Sequence, residues 1–164
     1  MEYTVRKAVS ADLPRIDDIY AYAREFMVKT GNPNQWGKTN PPHAWLVEDI
    51  RQGLLYVICS AEEIHGVFYF YIGADPTYGS IEGGAWKYNT PYGTIHRIAS
   101  DGSGGILKTA VEFCAGMSDH IRIDTHHDNI VMQKAVAKLG FERSGIIRLA
   151  NGDPRIAYEL YIRK

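Results

Sequence analysis

Residues 93–141 constrain the fold most, because strand-like and helix-like patterns alternate there around a glycine-rich turn. An apolar run at 95–99 leads into Asp101-Gly102-Ser103-Gly104-Gly105, and apolar side chains then recur every three or four positions from Ile106 to Met117. The pattern predicts a strand, a turn and a helix in direct succession. Glycine lets the backbone approach a ligand closely, and the unpaired N–H groups that begin a helix suit a phosphate. The turn is therefore either a phosphate-binding site or a simple change of chain direction.

A second strand and a second helix follow this first pair. Residues 121–126 alternate between apolar and polar side chains like a strand, and Asp128 or Asn129 is placed to cap the helix that comes next. Gly140 stands where a glycine often ends a helix. A strand–helix–strand crossover joins parallel strands, so residues 93–100 and 121–126 are expected to lie parallel and to diverge.

The turn lacks the two common nucleotide-binding patterns. Leu107 stands directly before Lys108, where the P-loop pattern needs a glycine, and the same residue stands where a dinucleotide-binding turn needs its third glycine. A nucleotide-binding module of another α/β type is therefore a disfavoured alternative.

This order of elements resembles the GNAT superfamily of N-acetyltransferases, which use acetyl-CoA. The family's turn begins with Gln or Arg, continues with any two residues, a Gly and any one residue, and ends with Gly or Ala. In this chain it aligns with Gly102-Ser103-Gly104-Gly105-Ile106-Leu107. The Asn and the Gly-Phe that follow in the family match Asn129 and Gly140-Phe141. The chain departs from the pattern at both ends of the turn and at Val136, where the family often has a tyrosine acting as general acid. The resemblance is good over about 95–145 and looser elsewhere.

The resemblance implies a mixed α/β fold of three layers in a single domain, 1–164. A central mixed sheet of about seven strands would be flanked by about four helices, and its fourth and fifth strands would splay apart to admit the CoA arm. The remaining patterns agree with this arrangement. They predict a strand at 3–9, helices at 13–27 and 44–54, hairpin strands at 54–60 and 64–73, an aperiodic loop at 75–92, and final strands at 142–149 and 155–163.

Acetyl-CoA is the co-substrate that the resemblance implies, with its pyrophosphate on the backbone of the turn. The resulting cofactor-binding set is Ile98, Ala99, Ser100, Gly102, Ser103, Gly104, Gly105, Ile106, Leu107 and Asn129. Within that set, the backbone N–H of Ile98 or Ala99 is expected to donate to the thioester oxygen. Asn129 either bonds the pantetheine amides, caps its helix, or does both.

Acetyl transfer to an amine needs a base, because an amine with a pKa of about 10.4 is almost wholly protonated at neutral pH. His96 lies on the central strand, and some GNAT enzymes acting on arylalkylamines resemble this chain in placing a histidine there to relay the amine proton. A purely structural histidine is the competing interpretation, and His126 and Tyr92 are the alternative catalytic residues. Trp36, Trp86 and Tyr92 are expected to wall the acceptor side, although the aromatic residues of the 75–92 loop fit packing equally well.

Two further residues of the second strand leave alternatives open. Asp124 and His126 share one face of it and form either a carboxylate–imidazole pair or separate structural contacts. His126 and His127 do not make a metal site by themselves, because neighbours on a strand point to opposite faces.

Composition sets the remaining limits. A net charge of −1 gives no sign of a nucleic-acid partner, and Cys59 and Cys114 lie in apolar patterns typical of free thiols in a reducing compartment. Neither a metal-ligand spacing, a signal-like N-terminus nor a run of about 18 apolar residues is present. We therefore expect a cytoplasmic acetyltransferase for a small amine or peptide, without a metal or a membrane partner, and compatible with a homodimer. A non-catalytic CoA-binding sensor is the alternative, because Val136 cannot donate a proton.

Overall fold

The computed structural model describes residues 2–162, whose seven strands form one mixed sheet. The strands are β1 (Thr4–Lys7), β2 (Leu55–Ser60), β3 (Glu63–Ile72), β4 (Gly93–Ser100), β5 (His120–Thr125), β6 (Glu142–Arg148) and β7 (Pro154–Tyr161). The helices are α1 (Leu13–Lys29), α2 (His43–Arg51), α3 (Ile106–Ala115) and α4 (Ile130–Lys138), with short 3-10 turns at Ser10–Asp12 and Pro76–Tyr78. The predicted order of elements is confirmed, and Arg163, the predicted end of the last strand, lies outside the described residues.

The sheet opens between its two central strands. The strand order is β1-β2-β3-β4-β5-β7-β6, and β4–β5 is the parallel pair among antiparallel neighbours. These two strands pair only at Gly93 with Ile121 and at Thr94 with Arg122. Beyond that point β4 stays with β3 and β5 stays with β7, so a gap forms between the carboxyl ends of β4 and β5. Crevices at such ends are common ligand sites in α/β sheets.

Helices cover both faces of the sheet. One core packs Ile16, Ile19 and Tyr20 of α1 against residues of β2 and β3, including Leu55 and Val57. The other core packs α3 and α4 against the opposite face, including Tyr56 and Ile58 of the same strand. Alternate residues of β2 are therefore buried on opposite faces, which explains its unbroken apolar run. The predicted three layers are confirmed.

A bulge interrupts β4 where the gap begins. His96 pairs with Tyr69 of β3, and Ala99 pairs with Val67. Two residues of β4, Arg97 and Ile98, therefore lie opposite a single residue of β3. Arg97 adopts a left-handed backbone with φ +53°, which is rare for a residue with a side chain. The backbone of Ile98 is thus left without a paired residue on β3.

Three contacts hold Arg97 in this strained conformation, which typically costs about 1–3 kcal/mol. Its guanidinium forms an ion pair with Asp49 at 2.8 Å and lies 4.5 Å from the centre of the Tyr69 ring. The Tyr20 hydroxyl donates to the Arg97 carbonyl at 2.6 Å. Side chains of α1, α2 and β3 therefore fix the backbone at the bulge.

No helix within residues 2–162 combines the length and the apolar content needed to cross a membrane. Cys59 and Cys114 are buried free thiols, as the apolar pattern around them predicts.

Candidate active site

Two neighbouring cavities lie at the gap between β4 and β5. The larger, of about 810 Å³, lies over the carboxyl ends of these strands and is bordered by the loops at 34–41 and 149–155. The smaller, of about 310 Å³, lies between α1, α3 and α4 and reaches Gly102, Ile106 and Leu107 at the glycine-rich turn. Both are lined by Met27, Ile98, Asn129 and Met132. Together the two cavities therefore extend from the turn, past the bulge, to the carboxyl ends of β4 and β5.

The turn requires glycine at two positions. Gly102 has φ +97°, and a Cβ there would lie 2.6 Å from the Tyr22 hydroxyl. Gly105 has φ +81° and immediately precedes α3. The first N–H groups of α3 have no partner within the helix, and Ile106 and Leu107 line the smaller cavity. The end of the helix therefore offers backbone donors to this cavity.

Asp101 stabilises the turn from outside. Its carboxylate accepts the Ser103 N–H at 3.0 Å and contacts both Arg15 and His65 at 2.8 Å. Burial opposes ionisation, but the hydrogen bonds from Ser103 and His65 outweigh it and lower the pKa of Asp101. The Ser103 N–H, which belongs to the predicted phosphate donors, is therefore already engaged, and the donors of residues 104–107 are left for a ligand.

Asn129 lies where the two cavities meet, and its helix-capping role is observed. Its Oδ1 accepts the Met132 N–H at 3.0 Å, and its Nδ2 donates to Gln35 Oε1 at 3.0 Å. Gln35 Oε1 also accepts from the Thr125 hydroxyl at 3.2 Å. Gln35, which sequence reasoning missed, therefore ties the loop after α1 to β5 and α4. A contact between Asn129 and a cofactor stays a prediction.

His96 lies between two carboxylates, and all three side chains line the larger cavity. Its Nε2 is 2.7 Å from Asp75 Oδ2, and its Nδ1 is 3.9 Å from Asp124 Oδ2. The pairing of Thr94 with Arg122 explains the second contact. His96 and Asp124 each lie two residues further along their parallel strands, so they project from the same face of the sheet.

Both carboxylates are held in place by their own partners. Asp75 accepts the Thr77 N–H at 2.9 Å, and its own N–H donates to the Tyr92 hydroxyl at 2.8 Å. Burial alone would raise the pKa of Asp75, but the hydrogen bonds from His96 and Thr77 outweigh it and bring the pKa to about 2. Asp124 accepts the Tyr78 hydroxyl at 2.6 Å, and burial raises the pKa of Tyr78 well above its usual value, so that hydroxyl stays a donor.

Of the three predicted aromatic walls, only Trp36 lines the larger cavity, together with Trp45 and Tyr69. Trp86 and Tyr92 instead lie 3.8 Å and 3.9 Å from the Arg122 guanidinium, measured to the ring centres. Trp86 also donates its indole N–H to the Tyr78 carbonyl at 3.0 Å. The aromatic residues of the 75–92 loop therefore pack this loop onto the sheet and do not line the larger cavity. Tyr92 supports the site from outside the cavity.

His126, the alternative base, is not among the residues that line the larger cavity. Its Nδ1 accepts the Asp128 N–H at 3.0 Å, and its ring stacks on His127 at 4.3 Å. Burial, with Arg155 and His127 nearby, lowers the pKa of His126. Asp124 is engaged by Tyr78 and His96 instead of by His126. Within residues 2–162, His126, His127 and Asp128 are the one group whose possible metal-ligand atoms lie within 4.8 Å of one another.

Comparison with known proteins gives a consistent result. No protein-family model matches the sequence, and no curated protein is significantly similar to it. A GNAT-family acetyltransferase from Streptococcus agalactiae 2603 is 27% identical, with a TM-score of 0.87 over 99% of this chain and 96% of that one. A putative acetyltransferase from Staphylococcus aureus Mu50 is 22% identical, with a TM-score of 0.69 over 98% and 99%.

A GNAT superfamily phosphinothricin acetyltransferase from Sinorhizobium meliloti, solved in complex with AcCoA, is 18% identical, with a TM-score of 0.64 over 99% and 89%. The splayed strands, the glycine-rich turn and the similarity over nearly the whole chain thus agree with one another. They confirm the resemblance drawn from the sequence: this chain has the fold of the GNAT acetyltransferases.

Proposed function

We propose that this protein transfers an acetyl group from acetyl-CoA to the amine of a small molecule or peptide. The observation that carries the proposal is the pair of neighbouring cavities that reach from the glycine-rich turn to His96 at the gap between β4 and β5, and we propose that they form one channel for the cofactor. Structural neighbours are acetyltransferases, and one of them was solved with AcCoA. Such a channel lets a long thioester reach an acceptor on the opposite side of the sheet.

The smaller cavity suits the cofactor arm. Backbone N–H groups at 104–107 would hold the pyrophosphate at the positive end of α3. The bulge leaves the Ile98 backbone without a partner on β3, so its N–H is placed to donate to the thioester oxygen. Acetyl-CoA supplies the activated carbonyl carbon, and the chain supplies these fixed donors around it.

His96 is placed to accept the amine proton. The Nε2 contact with Asp75 assigns the ring proton to Nε2, which leaves the Nδ1 lone pair directed toward Asp124. A substrate ammonium fits between Nδ1 and Asp124 Oδ2, because hydrogen bonds of about 3 Å to both atoms are compatible with their 3.9 Å separation. The carboxylate attracts the ammonium, and His96 then takes its proton.

The neutral amine attacks the thioester carbon, the C–N bond forms, and the C–S bond breaks with release of CoA thiolate. The new amide nitrogen loses its second proton to solvent. Val136, at the position of the family's tyrosine, is fully buried in the core. We therefore propose that the thiolate leaves without a side-chain acid at that position and takes its proton from solvent.

Release of free CoA thiol in the presence of a panel of amines, amino acids and peptides tests this function. We expect turnover that saturates with acetyl-CoA and is inhibited by CoA but by neither ATP nor NAD. Binding of CoA without turnover of any acceptor would favour the sensor alternative. Competition by ATP or NAD would favour another nucleotide-binding module.

A cytoplasmic location and independence of metal stay predictions. An unchanged rate after treatment with a chelator would support independence of metal.

Gly105→Pro is expected to lower the affinity for CoA by about tenfold or more, because proline fixes φ near −65° and has no N–H. Gly105 has φ +81° directly before α3. Gly53→Pro is the matched control, since Gly53 has φ +71° just after α2, and its N–H is likewise lost. Calorimetric titration of CoA into both folded variants separates backbone strain from lost binding. Equal affinity in the two variants would place the phosphates elsewhere.

A further inference from the structure

Arg155 is a buried arginine that lines the larger cavity with no carboxylate in ion-pair contact. Only 6% of the residue is exposed. Its Nη1 donates to the Pro154 carbonyl at 2.9 Å, and its Nη2 donates to the Gln35 carbonyl at 3.3 Å. Among the ion pairs of residues 2–162, none within 4.0 Å involves Arg155. Two neutral carbonyl groups therefore contact the guanidinium directly, while the carboxylates of Asp124 and Asp153 act on its charge from beyond ion-pair distance.

The other two buried or half-buried arginines near the site are compensated differently. Arg97 has the Asp49 carboxylate at 2.8 Å. Arg122 lies between the rings of Trp86 and Tyr92, away from the cavity. Burial of a guanidinium without a carboxylate is costly, and desolvation lowers the pKa of Arg155. An anion in the cavity would offset that cost and would meet unused N–H donors.

The register of the sheet places this positive charge opposite the acidic end of the cavity. Asp124 pairs with Ala157, and Arg155 lies two residues earlier on β7, so both side chains project from the face that carries His96. Diagonal neighbours on paired strands are about 7–8 Å apart at the backbone, a spacing that long side chains span. One short molecule can therefore contact both Asp124 and Arg155. The molecule would carry an ammonium near Asp124 and an anion near Arg155.

We propose that the acceptor is a free α-amino acid whose carboxylate binds the Arg155 guanidinium while its amine lies between His96 and Asp124. This inference rests on the proposed function, because it names the acceptor of the same reaction. Arg155 would hold the zwitterion with its amine directed at the thioester. The amino acid side chain would extend toward Trp36, which also lines the cavity.

Thiol release with the twenty L-amino acids and their C-terminal amides tests the inference. We expect kcat/KM for the best free acid to exceed that for its amide by about 10- to 100-fold, the usual effect of one charged hydrogen-bonded group. Converting the carboxylate into an amide makes the amine less basic, so a larger neutral fraction would favour the amide. A preference for the acid therefore reports recognition of the carboxylate.

Arg155→Gln should bring the acid-to-amide ratio close to one while changing kcat/KM for the amide little. Arg155→Lys, which keeps the charge and lacks the planar fork, should give an intermediate ratio. Lys38→Gln is the matched comparison, because Lys38 is exposed at the edge of the same cavity. The acid-to-amide ratio of Lys38→Gln should equal that of the wild type. Folding of each variant is checked by its thermal unfolding.

Acids and amides used equally well by the wild-type protein would overturn the inference, whatever the variants do. Equal losses for both acceptors in the folded Arg155→Gln variant would also overturn it and give Arg155 a structural role. Failure of the proposed function is a different result, namely no thiol release with any acceptor. In that case calorimetric binding of the same acids and amides to the CoA-loaded protein still decides whether Arg155 recognises a carboxylate.

Discussion

Replacement of His96 by alanine is expected to lower kcat by about 100-fold while leaving the affinity for CoA nearly unchanged, because a positioned base contributes roughly that factor. The imidazole contacts Asp75 and faces Asp124 on the acceptor side of the gap, whereas the turn that would hold CoA lies at the start of α3. Loss of the ring should therefore affect proton transfer and spare cofactor binding. Single-turnover rates and calorimetric CoA titrations measure the two effects separately.

The dependence of the rate on pH gives a second readout of the same variant. A histidine base makes the rate fall on the acidic side of the profile, and this limb should disappear in His96→Ala. His43→Ala is the matched control, because His43 is an exposed histidine paired with Asp17 on the surface. A wild-type rate with an unchanged acidic limb in His96→Ala would make His96 structural. His126 would then be the next residue to test.

Asp75→Asn tests how His96 is held. Asp75 acts through the imidazole and is a positioning residue, so its loss should lower kcat by roughly tenfold and shift the acidic limb. Because the pKa of Asp75 is about 2, the carboxylate is charged throughout the working range of pH.

The sign of the effect of Asp75 on the stability of the fold follows from this lowered pKa. Asp75 stabilises the fold above the usual carboxyl pKa, and that contribution is lost as the pH falls toward 2.

The order of helices and strands could be predicted from the sequence because its signals are local, whereas the three layers and the splayed strands followed from the family resemblance. Apolar spacing located α1, α3 and α4, the apolar runs located β2 and β3, and Gly140 marked the end of α4 with φ +95°. The crossover through α3 also fixed β4 and β5 as parallel neighbours. Each of these inferences uses residues close together in the chain, where periodicity and turn chemistry are sufficient.

The site was harder to predict because its contacts join distant segments. Asp75 lies 21 residues before His96 in a loop without periodicity, and only the fold of the β3–β4 connection brings them together. The sequence Asp75-Pro76-Thr77 does signal a capping aspartate, but it cannot show which ring the carboxylate meets. Arg155 follows a hairpin turn and looked like an ordinary strand residue. That no carboxylate contacts its guanidinium became visible only from the packing around it.

The aromatic loop shows why two interpretations stayed open at the level of sequence. Trp86 and Tyr92 suit either a binding wall or a packing role, since both need large apolar rings in an irregular segment. The difference depends on Arg122, which lies between the two rings. A guanidinium from the neighbouring strand cannot be assigned to these rings without the sheet register.

Glu159→Ala is expected to lower the free energy of unfolding by about 3–5 kcal/mol, because each donor that loses its buried acceptor costs about 1–3 kcal/mol. Glu159 is fully buried. Its carboxylate accepts the Lys87 N–H at 2.7 Å and the Tyr88 N–H at 3.2 Å, as well as bonds from Ser144 and His120. Alanine would leave all these groups without an acceptor in the interior. Chemical denaturation at neutral pH, with the slope and midpoint compared, measures the loss.

Glu142→Ala is the matched control for this measurement. Glu142 is also a glutamate of the β6–β7 hairpin, but its side chain is 54% exposed and contacts Lys87 at 3.4 Å. Exposed pairs contribute about 0–1 kcal/mol, so this variant should unfold close to the wild type. Similar losses in the two variants would mean that Glu159 adds little beyond a surface pair.

The loss in Glu159→Ala should be concentrated in the segment that supports the candidate active site. Lys87 and Tyr88 continue directly from Trp86, which packs on Tyr78, and Tyr78 donates to Asp124. Release of their N–H groups should therefore raise amide hydrogen exchange across residues 79–92 well before global unfolding. Since Asp124 faces His96, catalysis should weaken along with this local protection. If amide exchange across residues 79–92 is as slow in Glu159→Ala as in the wild type, the contacts of Trp86 and Tyr92 with Arg122 suffice to hold the loop.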